Sequence, residues 1–293
     1  MRNNGFPKAA LLPTDIPDQV RRALAEDVGS GDVTALLVDP ATDAVATLLT
    51  REPLVLCGTV WFDETFRQLD PRVRVTWRAA EGELLPAGSI LCDIAGPARA
   101  MLTGERTAMN FLQTLSGTAT LTRRYADIVA GTGCQVLDTR KTLPGLRDAQ
   151  KYAVRCGGGH NHRMGLYDMV LIKENHIVAA GSVGAALVRA RAVAPGIPVE
   201  IEVETLEEFA AALAARPDII MLDEFTEADM RSAVQMNKAA GEPVRIEASG
   251  GVDLDSLRRV AATGVNYVSI GSLTKHLRAI DLSMRFQLVE PAR

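Results

Sequence analysis

The chain has 293 residues, 47% hydrophobic and 4% aromatic, and a formal net charge of −4. That length can bury a large core in one or two domains. The acidic balance and scarce aromatics exclude a general nucleic-acid footprint, which needs a basic domain. No uninterrupted run of about 18 apolar residues is present, so no membrane span is expected.

The opening stretch, MRNNGFPKAALLPTD, lacks the apolar segment of a secretory signal. A helix is predicted over 17–27, stopping at Gly29. Strands are predicted over 44–50, 73–77 and 90–94, with glycine and proline between them. Helices over 59–69 and 99–115 complete an α+β pattern with a small, mostly antiparallel sheet. From Cys134 onward, short apolar runs at 135–137, 169–172, 199–203, 219–222, 244–246 and 267–270 alternate with helical stretches at 183–193, 206–215, 227–240 and 254–263. Such alternation means βαβ units and a parallel sheet. Six strands fall short of the eight of a full barrel, so an incomplete α/β barrel is expected, with a flat doubly wound sheet as the alternative. The four cysteines, Cys57, Cys92, Cys134 and Cys156, form no Cys-x-x-Cys. They read as reduced thiols of a cytoplasmic protein.

In VEIEVE (199–204), Glu200, Glu202 and Glu204 alternate with Val199, Ile201 and Val203. A strand alternates faces with period two, so one side packs on helices while three carboxylates point elsewhere. A strand covered by helices on both faces would be apolar throughout. The lumen of a barrel with a functional mouth accommodates the pattern, as does an edge strand with one wet face.

Polar residues follow nearly every apolar run: Thr139, Arg140 and Lys141, then Lys173 and Glu174, Glu202 and Glu204, Asp223 and Glu224, Ser249 to Gly251, and Gly271 with Ser272. In α/β barrels the site forms where strand C-termini converge. The turns EASGG (247–251) and SIGS (269–272, with Ser269, Ile270 and Gly271) follow the last two strands, where glycine and backbone N–H groups suit phosphate; ordinary βα turns are the simpler reading. Lys173 follows Met-Val-Leu-Ile, so its ammonium needs a carboxylate or a ligand anion; Glu202 and Asp223 are candidate partners. Gly157, Gly158 and Gly159 suggest a mobile or tight loop carrying His162 and Arg163. Arg106 lies on an apolar helical stripe, which implies snorkelling or a partner.

In this order, the stretches EDVGSGDVT (26–34), GERTAMNFLQTLSG (104–117), DTRKTLPGLR (138–147), GGGHNHRMGLYDMVLIKENH (157–176), IEVET, MLDEF, IEASGG and SIGSLTKH resemble quinolinate phosphoribosyltransferases across nearly the whole chain. The resemblance implies an N-terminal α/β sandwich domain (1–116, to which a strand near 281–290 returns) and a C-terminal incomplete α/β barrel (117–280). It implies transfer of phosphoribosyl from 5-phosphoribosyl 1-pyrophosphate to quinolinate with loss of CO2, Mg2+, and a homodimer. Carried over, Arg140, His162, Arg163 and Lys173 surround the quinolinate carboxylates, with Arg106 reaching in from the partner subunit. Lys141, Ser249, Gly250 and Gly271 meet phosphates, with Thr139, Gly251, Ser269 and Ile270 on the same turns, and His276 near the pyrophosphate. Glu202 and Asp223 take the ribose hydroxyls and Mg2+, directly or through water. Lys141, Lys173, Glu202 and Asp223 are the expected catalytic set.

Three rivals remain. A metal-dependent barrel hydrolase would use His160, His162, Lys173, His176 and Asp223. An aldolase would form a Schiff base on Lys173. A non-catalytic phosphometabolite-binding protein would keep the glycine turns without needing Glu202 and Asp223.

Overall fold

The computed structural model describes residues 12–241 and 243–289. Residues 1–11, read as lacking a secretory signal, and residue 290 of the returning strand lie outside the described residues. The described chain divides into two compact units, one of 12–123, 143–158 and 276–289, the other of 124–142 and 159–275.

In the first unit, β1 (Asp43–Thr50), β2 (Leu54–Val55), β3 (Arg74–Trp77), β4 (Leu84–Leu85) and β5 (Ile90–Pro97) precede a helix Ala98–Val129 that runs through the expected boundary at 116/117. β5 pairs antiparallel with β1 and β3, and the two-residue strands β2 and β4 pair with each other. The C-terminal strand, Leu282–Leu288, pairs antiparallel with β1, from Thr50 opposite Leu282 to Ala44 opposite Leu288. The sheet buries Ala46, Leu48, Leu91 and Ile94 against Phe62 and Phe66 of helix Thr59–Leu69 and Met101, Ala108 and Leu112 of the long helix. A second apolar cluster joins Val20, Trp61, Leu115 and Ala119 to Ala149 and Ala153 of helix Arg147–Cys156. That packing explains why 143–158 groups with this unit.

The second unit contains β6 (Gln135–Leu137), β7 (Val170–Ile172), β8 (Val199–Val203), β9 (Ile219–Asp223), β10 (Arg245–Ser249) and β11 (Tyr267–Ser269); the returning strand at 282–288 is β12. These six are parallel in the order β6-β11-β10-β9-β8-β7. The first and second strands therefore stand at opposite edges, the order of a barrel left open between them. The sheet is not closed. Beyond β6, His160 makes an isolated parallel bridge to Leu137. Helices follow the strands with side-chain caps: Ser182 accepts from the Ala185 N–H (3.1 Å), Thr205 from Glu208 (3.1 Å) and Thr226 from Asp229 (3.2 Å). Among the described residues no single helix is long and apolar enough to cross a membrane.

Candidate active site

Residues opposite one another in a parallel pair share a face. Glu200 stands opposite Leu171 and Ile219, Glu202 opposite Met221, Asp223 opposite Ser249, Glu247 opposite Tyr267, and Ser269 opposite Leu137. Alternation thus puts Glu200, Glu202, Asp223, Glu247, Ser249 and Ser269 on one face, together with Lys173, which is still extended. The opposite face is apolar and buried: Val199, Ile201, Val203, Ile220, Leu222, Ile246, Ala248 and Val268. The period-two pattern of VEIEVE is therefore a lumen pattern. Leu137, Met169, Ile219 and Tyr267 form an apolar cluster on the polar face's side of the sheet.

Above that cluster lies a buried polar hub. Asp138, immediately after β6, is fully buried and accepts from the backbone N–H of His162 (2.9 Å) and from Asn161 Nδ2 (2.6 Å). It anchors the His-Asn-His-Arg segment to the end of β6. The His162 ring is 6% exposed. Its Nδ1 accepts from the Arg163 N–H (2.7 Å), which leaves the proton on Nε2 to be donated to Glu200 Oε2, 2.8 Å away. Glu247 Oε2 is 3.6 Å from the same nitrogen, and Ser269 donates its hydroxyl to Glu247 Oε1 at 2.5 Å. Burial first pushes Glu200 up to about 8, with Glu202 adding to the rise. Burial, then the charge of Glu200, raises Glu247 well above the carboxylate range.

The cations sit at the strand ends. Arg163 is 8% exposed, and burial, then the charge of Arg140, hold its guanidinium below its usual value. Lys173 Nζ meets Glu202 Oε2 at 2.5 Å. Burial, then Glu202, raises Asp223, while Lys173 and Lys141 oppose the rise. Lys141 lies over the last turn: a Cβ built on Gly271 would be 3.0 Å from its Cδ, and 3.7 Å from Thr139 Oγ1. Its carbonyl accepts from Thr274 Oγ1 (2.8 Å), and its N–H donates to Thr139 Oγ1 (3.1 Å), which fixes the loop. Gly250 has φ +97°, which a side-chain-bearing residue rarely adopts, and a Cβ there would meet the Glu224 carboxylate.

The expected residues from Thr139 to Gly271 thus all belong to the parallel-sheet unit, at or just after strand ends. Two differ from expectation in orientation. Ser269 turns its hydroxyl onto Glu247, and Ile270 is 1% exposed with its N–H donated to the Leu137 carbonyl (2.9 Å). Arg106, exposed on helix Ala98–Val129, and His276, exposed after Ser272–Lys275, belong to the other unit. Sequence reasoning missed Asp138, Glu200 and Glu247 as site residues. The signal was present, since Glu200 and Glu247 each stand two positions before an expected site residue and so share its face.

The hydrolase ligand set is not assembled. His160, Lys173 and His176 are exposed while His162 is buried on Glu200. Among the described residues the groups close enough to share an ion are His162–Glu200–Glu247 and Cys57–Glu81–Cys156, without His160, His176 or Asp223.

Comparison with known proteins gives the same picture. The quinolinate phosphoribosyl transferase C-terminal domain model matches residues 118–285, and the N-terminal domain model matches residues 32–116. The nicotinate-nucleotide pyrophosphorylase [carboxylating] of Mycobacterium leprae is 43% identical over 273 residues, covering 91% of this chain and 95% of its own. A probable enzyme of the same name from Bacillus subtilis is 40% identical, covering 88% of this chain and 89% of its own. The solved structure of the nicotinate-nucleotide pyrophosphorylase from Francisella tularensis superposes with a TM-score of 0.91 at 43% identity, covering 96% of this chain and all of that one. With both domain models matched in order and their motifs at the strand ends of one parallel sheet, the chain belongs to the quinolinate phosphoribosyltransferase family.

Proposed function

We propose that the chain transfers phosphoribosyl from 5-phosphoribosyl 1-pyrophosphate to quinolinate with decarboxylation, giving nicotinate mononucleotide, pyrophosphate and CO2 for NAD synthesis. One observation carries the chemistry: in a chain of net charge −4, the Arg163 guanidinium is buried at the strand ends, and its burial, then the charge of the exposed Arg140, holds it below its usual value. Burying one guanidinium with a second cation near it is unfavourable until an anion arrives. Two planar guanidiniums suit two carboxylates, each able to take a bidentate pair. Relatives named for a carboxylating nicotinate-nucleotide pyrophosphorylase support the same substrate.

In this reading Arg140, Arg163 and Lys173 hold the dicarboxylate, with Arg106 supplied by the partner subunit of a homodimer. His162, tied to Glu200, fixes the backbone of Arg163. Lys141 and the Ser249, Gly250 and Gly271 turns take the phosphates; His276 serves the pyrophosphate. Positioning the ring nitrogen against the anomeric carbon supplies several kcal/mol, up to about 7–11 in ideal cases. As pyrophosphate departs, the ribose gains cationic character, which Glu202 and Asp223 stabilise from rigid strand ends. Ribosylation leaves the ring nitrogen positive. The electron pair left by the departing carboxylate then sits beside that charge, so the protein's task is orientation.

Glu202 and Asp223 also fit Mg2+: hard carboxylate oxygens on neighbouring strands, with Asp223 raised partly by Glu202, a repulsion that a cation relieves. When bound, Mg2+ would neutralise charge on the leaving group. Four free cysteines suit a reducing cytoplasm.

The deciding assay follows CO2 release from quinolinate with 5-phosphoribosyl 1-pyrophosphate, against nicotinate as the competing acceptor. Preference for nicotinate, or no CO2, sinks the reading. For the shared site, Arg106→Ala subunits are mixed with Lys141→Ala subunits. Mixed dimers regain activity if Arg106 crosses the interface, and confirmed mixing without recovery rules the donation out.

A further inference from the structure

Within the first unit, the sulfurs of Cys57 and Cys156 and a carboxylate oxygen of Glu81 lie within 4.8 Å of one another. The two cysteines are distant in sequence, yet one helix, Ala98–Val129, pins both backbones. The Cys57 N–H donates to Ser116 Oγ (3.0 Å), whose hydroxyl donates back to the Cys57 carbonyl (3.1 Å). Beside Cys156, the Gly157 carbonyl accepts from Arg123 Nε (3.1 Å), and a Cβ on Gly157 would lie 2.4 Å from the Ala119 carbonyl oxygen. Only glycine permits this approach, so the backbone that carries the Cys156 thiol is held close to the same helix.

Glu81 is already occupied. It accepts from the N–H of Gly58 (2.7 Å) and Thr59 (3.2 Å) and from Thr59 Oγ1 (2.7 Å), capping helix Thr59–Leu69. That disfavours a metal and leaves the thiols to each other. They are unequal. Cys57 is fully buried, which pushes its thiol up; Cys156 is partly exposed, and its thiol is lowered by Cys57 first, then by Tyr152 and Arg155, against burial and Glu81. A partly exposed thiol of lowered pKa beside a buried thiol able to resolve it is the arrangement of a redox-responsive pair.

We propose that Cys57 and Cys156 form a reversible dithiol–disulfide pair oxidised by hydroperoxides. The Cys156 thiolate attacks the peroxide, taking one oxygen and releasing alkoxide, which takes a proton to become the alcohol. The Cys57 thiol then attacks the sulfenic sulfur, an S–S bond forms, and the S–OH oxygen leaves as water with the thiol proton. Two thiols lose two electrons, which the hydroperoxide accepts. Neither cysteine belongs to the proposed active site, so the pair stands apart from the assigned reaction.

The test is limited hydrogen peroxide on the intact protein, followed by peptide mapping with and without dithiothreitol. Expected is a dithiothreitol-reversible Cys57–Cys156 cross-link, forming at least about tenfold faster than oxidation of the buried Cys92 and Cys134. Cys57→Ser should leave Cys156 as a sulfenic acid trappable by dimedone, and Cys156→Ser should leave Cys57 unmodified. If Cys57→Ser misfolds, the wild-type rates and the Cys156→Ser map still decide. Over-oxidation of Cys156 with Cys57 still a thiol overturns the proposal, as does a cross-link that forms only in urea or zinc bound to both thiols in the purified protein.

Discussion

The two sheets solve opposite problems. The antiparallel sheet β12-β1-β5-β3 presents Leu48, Leu91 and Ile94 to Phe62, Phe66 and Met101, and the hydrophobic effect alone accounts for it. The parallel sheet buries Glu200 and Glu247 completely on its inner face, with Asp138 and His162 beside them. Burying such groups opposes folding unless partners satisfy them. The hub supplies only some of those partners: His162 donates to Glu200 and Ser269 to Glu247, while Glu200 Oε1 and Glu247 Oε2 have no hydrogen-bond partner among the described residues. The antiparallel sheet thus carries apolar packing, whereas the parallel sheet sets an apolar buried face against a polar one that carries the chemistry.

The largest expected break in that division is in the apolar sheet. Phe62→Ala should lower unfolding free energy by about 3–5 kcal/mol, read by urea titration, because the fully buried ring leaves a cavity. Turnover of the folded fraction should hold. Next comes Lys141→Ala or Lys173→Ala, each expected to cut turnover at least about a hundredfold, with the urea midpoint nearly unmoved. Near-normal activity in either would put the chemistry elsewhere.

Much of this contrast is legible in the residues. Gln135–Leu137 and Val199–Val203 match their predicted ranges, because short apolar runs between polar strand ends leave little choice. Arg99 onward was readable as helix, but its end at Val129 lay past Gly117, a residue that sequence treats as a stop and packing turns into a close contact with the Arg278 backbone. Helix Arg147–Cys156 escaped because three glycines follow it and charged residues fill it. Among site residues, Arg140, Lys141 and Lys173 were visible as cations at strand ends. Glu200 and Glu247 carried only the period-two spacing before Glu202 and Ser249, and Asp138 carried no signal, since their importance comes from burial and from distant residues such as His162 and Ser269 that donate to them.

The pH dependence sharpens the comparison. Folded, Glu200 keeps its proton to about 8, whereas the unfolded value is 4.5. Between those values the folded chain holds the extra proton. Its contribution to stability is therefore complete below the unfolded value and is lost as pH rises through the folded one. One such proton is worth about 1.4 kcal/mol per pH unit. Glu200→Gln, which still accepts from His162, should remove that share of the slope in urea midpoints taken from pH ~5 to ~8. An unchanged slope would mean the inner face is wetter than its burial indicates.

The smallest effect tests whether the parallel sheet's helices are merely scaffolding. Thr205 is the side-chain cap of helix Leu206–Ala215, accepting from the Glu208 N–H at 3.1 Å. It lies one residue beyond Glu204, in the same strand-to-helix turn that follows Glu202. Thr205→Ala removes the acceptor and leaves that N–H to water, which should cost about 1 kcal/mol of stability. Because β8 is fixed on both sides by β7 and β9, Glu202 should keep its place opposite Met221, and turnover should change by less than about twofold while the urea midpoint falls. A large loss of turnover with that small loss of stability would show that the cap, and not the ladder, places the carboxylate. The polar sheet would then depend on its helix starts in a way the apolar sheet does not.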